Sequence, residues 1–413
     1  MTPLDLAYAA AAVLLAPWWM RKARGDWPAR RGHTPPLAPT TPDRRRLLLH
    51  AVSVGEVNAL RHLVGLLTPR CDLVISVGTD TGIARARDLF GSTARVVRYP
   101  IDFSRCVRRF LDAIKPDAVG LVELELWPNF IRECSRRAIP VAVVNGRLSE
   151  RSFRGYLRLR PFLRTTFAAL DLAAVQDAGY RDRFVAMGVP SDRCTITGSM
   201  KWDAATIADP GGIPQAIPLR DAMGIDPAKP LIVAGSTAED EEVLLHAACP
   251  PGVQLLCAPR KPEHFDDAAA AMPGCVRRSR PGSGSPASGR FLLDTIGELR
   301  AAYALADIAV VGRSFGSLFG SDPIEPAALG KPVLIGPAFG DFATIVETLR
   351  AAGGITIASR DTLASILLDW VRNPAQRQLA ATNARQAIRA AQGASQRHAD
   401  ILLALLQRSP GAN

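Results

Sequence analysis

Short apolar runs alternate along most of this chain with stretches whose apolar residues recur every three or four positions. The runs at 46–52, 72–77, 95–99, 117–122, 141–144, 172–175 and 195–197 predict strands. Between them, 57–67, 81–90, 103–114, 127–138 and 181–187 carry helical periodicity. Strands that are apolar throughout and separated by helices belong to a parallel sheet covered on both faces. A second series follows, with strands at 231–234, 253–258, 291–293, 308–311 and 333–335. The pattern therefore predicts an α/β protein of two Rossmann-like, doubly wound domains facing a cleft, where the active site would lie.

The punctuation between these runs sets the boundaries. Residues 1–24 read as a membrane anchor: an apolar run from Leu6 to Met20 ends in Trp18 and Trp19 and is followed by Arg21, Lys22 and Arg24. At about 1.5 Å per residue it is short for a full span. The basic cluster follows the apolar run, which does not fit a signal peptide. Tryptophans beside arginines form an interfacial belt, so the segment is expected to lie in the membrane surface with the rest of the chain on the cytoplasmic side. The alternative is a first helix packed on its own domain. Residues 25–45, with five prolines, read as a linker. An N-terminal domain over 46–203, a hinge rich in Pro, Gly and Ala over 204–229, a second domain over 230–380 and a C-terminal helix over 381–413 complete the division. Residues 279–290 read as a flexible surface loop.

At 413 residues, with 48% hydrophobic and 22% charged, the chain is long enough for two sizeable cores. Lys and Arg exceed Asp and Glu by 50 to 39, a net charge of +11 that suits an anionic membrane, a phosphorylated substrate or nucleic acid. Aromatics at 6% and the lack of any RNP-like or finger motif argue against nucleic acid. The seven cysteines are scattered without C-x-x-C spacing and read as reduced, mostly buried thiols. The six histidines form no metal-binding cluster, so no metal or other cofactor is expected.

Candidate chemistry gathers where predicted strands end. After 46–52 come Ser53, Gly55 and Glu56 at a helix start, where the helix dipole favours an ionised carboxylate. Glu56 reads either as a base or as an ordinary helix cap. After 117–122 come Glu123-Leu-Glu125-Leu-Trp-Pro-Asn129, two acids on one side of an extended segment before a proline that opens a helix. They are paired site acids, or one is solvated and the other caps. Arg147 and Arg151 follow the strand at 141–144 among hydroxyls, and make a grip for phosphate or an exposed basic turn. In the second domain, Ser236 and Thr237 are candidates for holding a phosphate or for capping the helix behind them. Arg260 and Lys261 stand at another strand end. A glycine-rich loop from Gly312 runs through Gly320 to Glu325 and on to Gly336, a geometry suited to a ribose on Glu325 and a phosphate on loop amides. No P-loop signature is present.

Taken in order, residues 50–56, 123–129, 145–152, 198–203, 235–242, 259–265 and 322–337 resemble the successive motifs of the 3-deoxy-D-manno-octulosonic acid (Kdo) transferases. The resemblance implies a GT-B fold, an acceptor-binding first domain, a donor-binding second domain, and metal-free inversion at the sugar. It implies a CMP-Kdo donor, a lipid A precursor acceptor and an anionic inner-membrane surface as partners, with no nucleic acid. Glu56 matches the catalytic base, and Glu123 or Glu125 the second acidic motif. Ser236, Thr237, Arg260, Lys261, Gly320, Glu325 and Gly336 match donor-binding positions. Ser53, Arg147, Arg151 and Lys201 fall to the acceptor or its phosphates. The sequence departs from the family at Ser321-Asp322 and at Asp341, which bears on donor identity. Competing readings are a GT-B transferase using another nucleotide sugar on a membrane lipid, and a non-catalytic membrane-bound binding protein of the same fold.

Overall fold

The structure is a computed structural model that describes residues 5, 8, 25–41, 44–205, 207, 212–238 and 240–408. The chain divides into two compact units, residues 1–204 with 392–413, and residues 205–391. In the first, a short helix α1 (Trp27–Arg30) precedes β1 (Arg46–Ala51), α2 (Val54–Ala59), α3 (Arg61–Leu67), β2 (Asp72–Val77), α4 (Asp80–Phe90), β3 (Arg95–Arg98) and α5 (Ser104–Ile114). The unit continues through β4 (Ala118–Val122), α6 (Pro128–Arg136), β5 (Val141–Gly146), α7 (Glu150–Arg158), α8 (Arg160–Ala168), β6 (Leu172–Val175), α9 (Ala178–Met187) and β7 (Cys194–Ile196). The sheet is wholly parallel, in the order β3-β2-β1-β4-β5-β6-β7.

Successive residues of a strand face opposite sides, and here both sides are covered. Leu47 and Leu49 of β1 pack with α3 and α4, whereas Leu48 packs with Phe110 of α5, Phe130 of α6 and Phe184 of α9. That is why the strands read as unbroken apolar runs.

The second unit holds α10 (Ala216–Met223), β8 (Leu231–Thr237), α11 (Glu241–Ala248), β9 (Gln254–Pro259), α12 (Phe265–Ala271), β10 (Val276–Arg277), β11 (Arg290–Leu292), α13 (Leu299–Leu305) and β12 (Ile308–Val311). It closes with α14 (Ile324–Ala328), β13 (Val333–Ile335), α15 (Ala343–Ala351), β14 (Ile355–Ile357), α16 (Leu363–Arg372) and α17 (Pro374–Ala391). Its sheet is again parallel, in the order β10-β11-β9-β8-β12-β13-β14. The last helix, α18 (Ala394–Gln407), packs Leu402, Leu405 and Leu406 into the core of the first unit.

Several sequence expectations change. Two strands lie outside the apolar runs of the sequence pattern: β10, only two residues long, and β14. The helix expected over 57–67 starts earlier, at Val54, and breaks at Leu60 into two. The C-terminal helix expected over 381–413 is two helices meeting at Gly393, whose φ of 90° ends the helical path. The expected hinge contains α10, whose Leu219 and Met223 are buried. The expected linker is docked: Arg30 is buried and reaches the Gly78 carbonyl and Asp80, and Leu37 N–H donates to the Ala113 carbonyl. The expected anchor lies outside the described residues except for Asp5 and Tyr8, both bonded to the first unit. Among the described residues no helix is long and apolar enough to cross a membrane. All seven cysteines are free, six of them buried and Cys106 half-buried.

Asp203 ties α18 to the first unit, accepting from Gly393 N–H (2.7 Å) and Ser395 N–H (2.5 Å). Asp203→Ala is expected to cost about 1–2 kcal/mol, the size of a lost helix cap, read as a lower denaturant midpoint at unchanged slope.

Candidate active site

In the first sheet the strand order reverses between β1 and β4, and the loops leaving these two strands diverge. Such a switch point opens a crevice at the carboxyl edge of a parallel sheet. Ser53 follows β1 and caps α2, whose first turn carries Glu56, and the loop after β4 carries Glu123 and Glu125. Ser53 and Glu56 form a reciprocal capping box at the start of α2. Glu56 Oε2 accepts from Val52 N–H (2.8 Å), while Oε1 accepts from the Ser53 hydroxyl (2.8 Å) and Ser53 N–H (3.3 Å). The helix-cap reading is therefore realised in the geometry. The same bonds fix the orientation of the carboxylate, so capping and catalysis do not exclude each other.

The charges of Glu56, Glu123 and Glu125 act on one another. Burial raises the Glu125 pKa to about 7, helped by Glu56 and Glu123 and opposed by a hydrogen bond from the Trp127 indole (3.0 Å). Burial and the charge of Glu56 also push Glu123 up, while Arg147 and Lys201 pull it down. Glu123 adopts φ 57°, the left-handed region that a side chain avoids unless its surroundings impose it. Five sequence-derived residues, Glu56, Glu123, Glu125, Arg147 and Lys201, thus form one electrostatic group with Ser53 beside it. Arg151 sits on the exposed first turn of α7, and the cations that act on Glu123 are Arg147 and Lys201.

Residues that the sequence reading passed over hold this group in place. Asn145, at φ 53° at the end of β5, accepts from Met200 N–H through its side chain (3.0 Å) and so fixes the turn bearing Lys201. His398 of α18 receives Asn145 N–H at Nε2 (3.2 Å), and burial lowers its pKa to about 4. The acid loop is held at its far end by Asp102, which accepts from Asn129 N–H and Phe130 N–H (both 2.9 Å) and from the Tyr8 hydroxyl (3.0 Å). Asp5 accepts from the Asn129 amide (3.1 Å) and from Ser104. The Asn-Gly pair at 145–146 was the one local signal for such a position, since asparagine tolerates positive φ. Contacts separated by some 100 to 250 residues leave none.

In the second unit the order reverses between β8 and β12. Ser236 has φ 57° in a bulge at the end of β8. The backbone after β12 lies so close that a Cβ on Gly312 would stand 2.6 Å from the Thr237 Cα, and one on Gly336 2.1 Å from the Ser314 carbonyl oxygen. Only glycine permits that approach. Two expectations need correction. The amides of Arg313, Ser314 and Phe315 are not open to a phosphate: the buried Glu241 carboxylate accepts all three (2.6, 2.8 and 3.0 Å). The Thr237 hydroxyl is buried and donates to Glu242. Gly320, at φ 84°, closes the loop by donating to the Arg313 carbonyl (2.9 Å). Arg260 and Lys261 are exposed after β9, with Lys261 3.6 Å from Glu263. Glu325 pairs with Arg300 at 3.6 Å, and burial raises its pKa. Asp322 accepts from Ile324 N–H (2.9 Å), and the backbone of Asp341 lies in a short helical turn, Gly340–Phe342.

A family model described as 3-deoxy-D-manno-octulosonic-acid transferase (kdotransferase) matches residues 25–204. A 3-deoxy-D-manno-octulosonic acid transferase of Bordetella pertussis is 34% identical, covering 96% of this chain and 97% of the relative. One of Haemophilus influenzae is 30% identical, covering 89% of each. Among solved structures, the UDP-GlcNAc 2-epimerase of Neisseria meningitidis superposes with a TM-score of 0.59 at 14% identity, over 87% of this chain and 100% of that one. MurG of Acinetobacter baumannii gives 0.52 at 15% identity, over 87% and 99%. The two parallel α/β units have the fold of GT-B glycosyltransferases, and the chain belongs to the Kdo transferase family.

Because the folded pKa of Glu125 stands above its ordinary 4.5, the folded protein keeps a proton that the unfolded chain has released. Stability should therefore fall as pH rises from about 4.5 to 7 and level off above. Glu125→Gln removes that slope, and between pH 5 and 8 it should gain roughly 2 kcal/mol on the wild type, measured by urea unfolding at both pH values.

Proposed function

We propose that this glycosyltransferase moves Kdo from CMP-Kdo to the lipid A precursor during lipopolysaccharide assembly, at the cytoplasmic face of the inner membrane. Glu56 takes the proton from the attacking acceptor hydroxyl. The freed oxygen bonds to the anomeric carbon from the side opposite the leaving group, and CMP departs with the electrons of the broken bond, so the configuration inverts. The observation that carries this reading is the carboxylate of Glu56, held by the Ser53 capping box at the β1/β4 switch point. A base must be within reach of its proton and held in a fixed orientation, and three donors from one loop supply that orientation.

Arg147 and Lys201, the cations acting on Glu123, are proposed to meet the acceptor's phosphates, with Arg151 further out. On the donor side the roles go to Ser236, the exposed Arg260 and Lys261, and Glu325 for the ribose. Gly312, Gly320 and Gly336 shape the loop, and Glu241 keeps it rigid so that its remaining polar groups meet the departing phosphate without reorganising. The net charge of +11 suits work at an anionic surface on a phosphorylated lipid.

Purified enzyme incubated with CMP-Kdo and a tetraacyl disaccharide bisphosphate should release CMP and add one or more Kdo masses to the acceptor. Glu56→Gln keeps the shape of the cap but accepts no proton, and should lower kcat by at least about 100-fold with the fold intact. Undiminished transfer by that variant would remove Glu56 from the role. Transfer only from another nucleotide sugar would change the donor and turn attention to Asp322 and Asp341.

A further inference from the structure

We propose that the groove between α6 and α8 holds an acyl chain of the lipid acceptor, a reading that rests on the acceptor being an acylated, phosphorylated lipid. The groove measures about 710 Å³ and is lined by Pro128, Ile131, Phe162, Leu163 and Ala169, together with Arg132 and smaller polar side chains. That volume is in the range of small-molecule sites. Phe162 of the groove is 80% exposed, and the segments that lead into α6 and α8 expose Trp127 (39%), Leu157 (40%) and Leu159 (54%). Large apolar side chains left exposed beside an apolar groove mark a place where something binds.

Charge identifies the occupant. Helices α7 and α8 carry Arg151, Arg154, Arg158, Arg160 and Arg164 against a single acid, Glu150. Apolar side chains interleaved with guanidinium groups suit an amphiphile that offers both hydrocarbon and phosphate. A second copy of the same surface would set arginines against arginines. The groove also starts at the right place. Pro128 follows directly on Trp127, whose indole donates to Glu125, and the charge of Glu125 acts on Tyr156 of α7. An acyl chain lying between α6 and α8 would leave its headgroup beside the acid cluster.

The test uses the whole enzyme in detergent and a tetraacyl disaccharide bisphosphate with a diazirine at the end of one acyl chain. Photolysis should label peptides 128–136 and 160–169. Labelling confined to other segments would overturn the proposal, as would equal labelling of the same peptides by a diazirine phosphatidylglycerol in vesicles, which would assign the groove to bilayer lipid. A second measurement uses Ser135→Trp, an exposed groove position where the added ring occupies the channel. The ratio of kcat/KM for the tetraacyl acceptor to that for its deacylated, water-soluble form should fall about tenfold, the loss of roughly two buried methylenes. An unchanged ratio would also overturn it. Failure of the wild type to release CMP with either acceptor would instead count against the proposed function, while the labelling pattern would still decide the groove.

Discussion

The reversal of strand order in each sheet is the constraint on which the candidate site depends. A parallel strand enters from one edge and leaves at the other, so every loop that follows a strand gathers on one side. At the β1/β4 neighbours of the first unit, the connecting chain turns away in opposite directions, and the backbone cannot fill the gap it leaves. Glu56 follows one of these strands and Glu123 and Glu125 the other. Their mutual repulsion is a consequence of topology, and burial then raises Glu125 to about 7. The second unit repeats the reversal at β8 and β12, where glycine permits the close backbone approach and Glu241 binds the amides of the loop after β12.

Holding such loops requires polar anchors inside the protein. Glu241 binds three successive amides of the loop after β12, His398 binds the amide of Asn145, and Asp102 binds two amides at the start of α6. Each anchor satisfies groups that would otherwise cost about 1–3 kcal/mol apiece when buried. Each also reaches a loop distant in sequence. Backbone strain collects at the same places. Of the seven non-glycine residues at positive φ among those described, Glu123, Asn145, Ser236 and Arg313 stand at the carboxyl ends of strands. Strain of this kind persists where surrounding contacts over-determine the backbone.

Glu56 shows how one residue serves local structure and chemistry together. Its carboxylate completes a helix cap, worth about 1 kcal/mol in many proteins, and the same hydrogen bonds remove its rotational freedom. The local fold thereby supplies the pre-orientation that a base needs.

Periodicity alone determined the α/β class, twelve of the fourteen strands among the described residues and the position of the acids at strand ends, because burial on both faces writes each strand as an apolar run and each helix as a 3.6-residue repeat. The ordered motifs determined the family. Tertiary structure decided the rest. It returned α18 to the first unit, turned the glycine-rich loop's amides toward Glu241, docked Asp5, Tyr8 and the 25–41 stretch, and brought Arg147 and Lys201 to Glu123. These outcomes depend on contacts between residues far apart in the chain. A local pattern records which face of an element is apolar, not which distant carboxylate or amide will meet it.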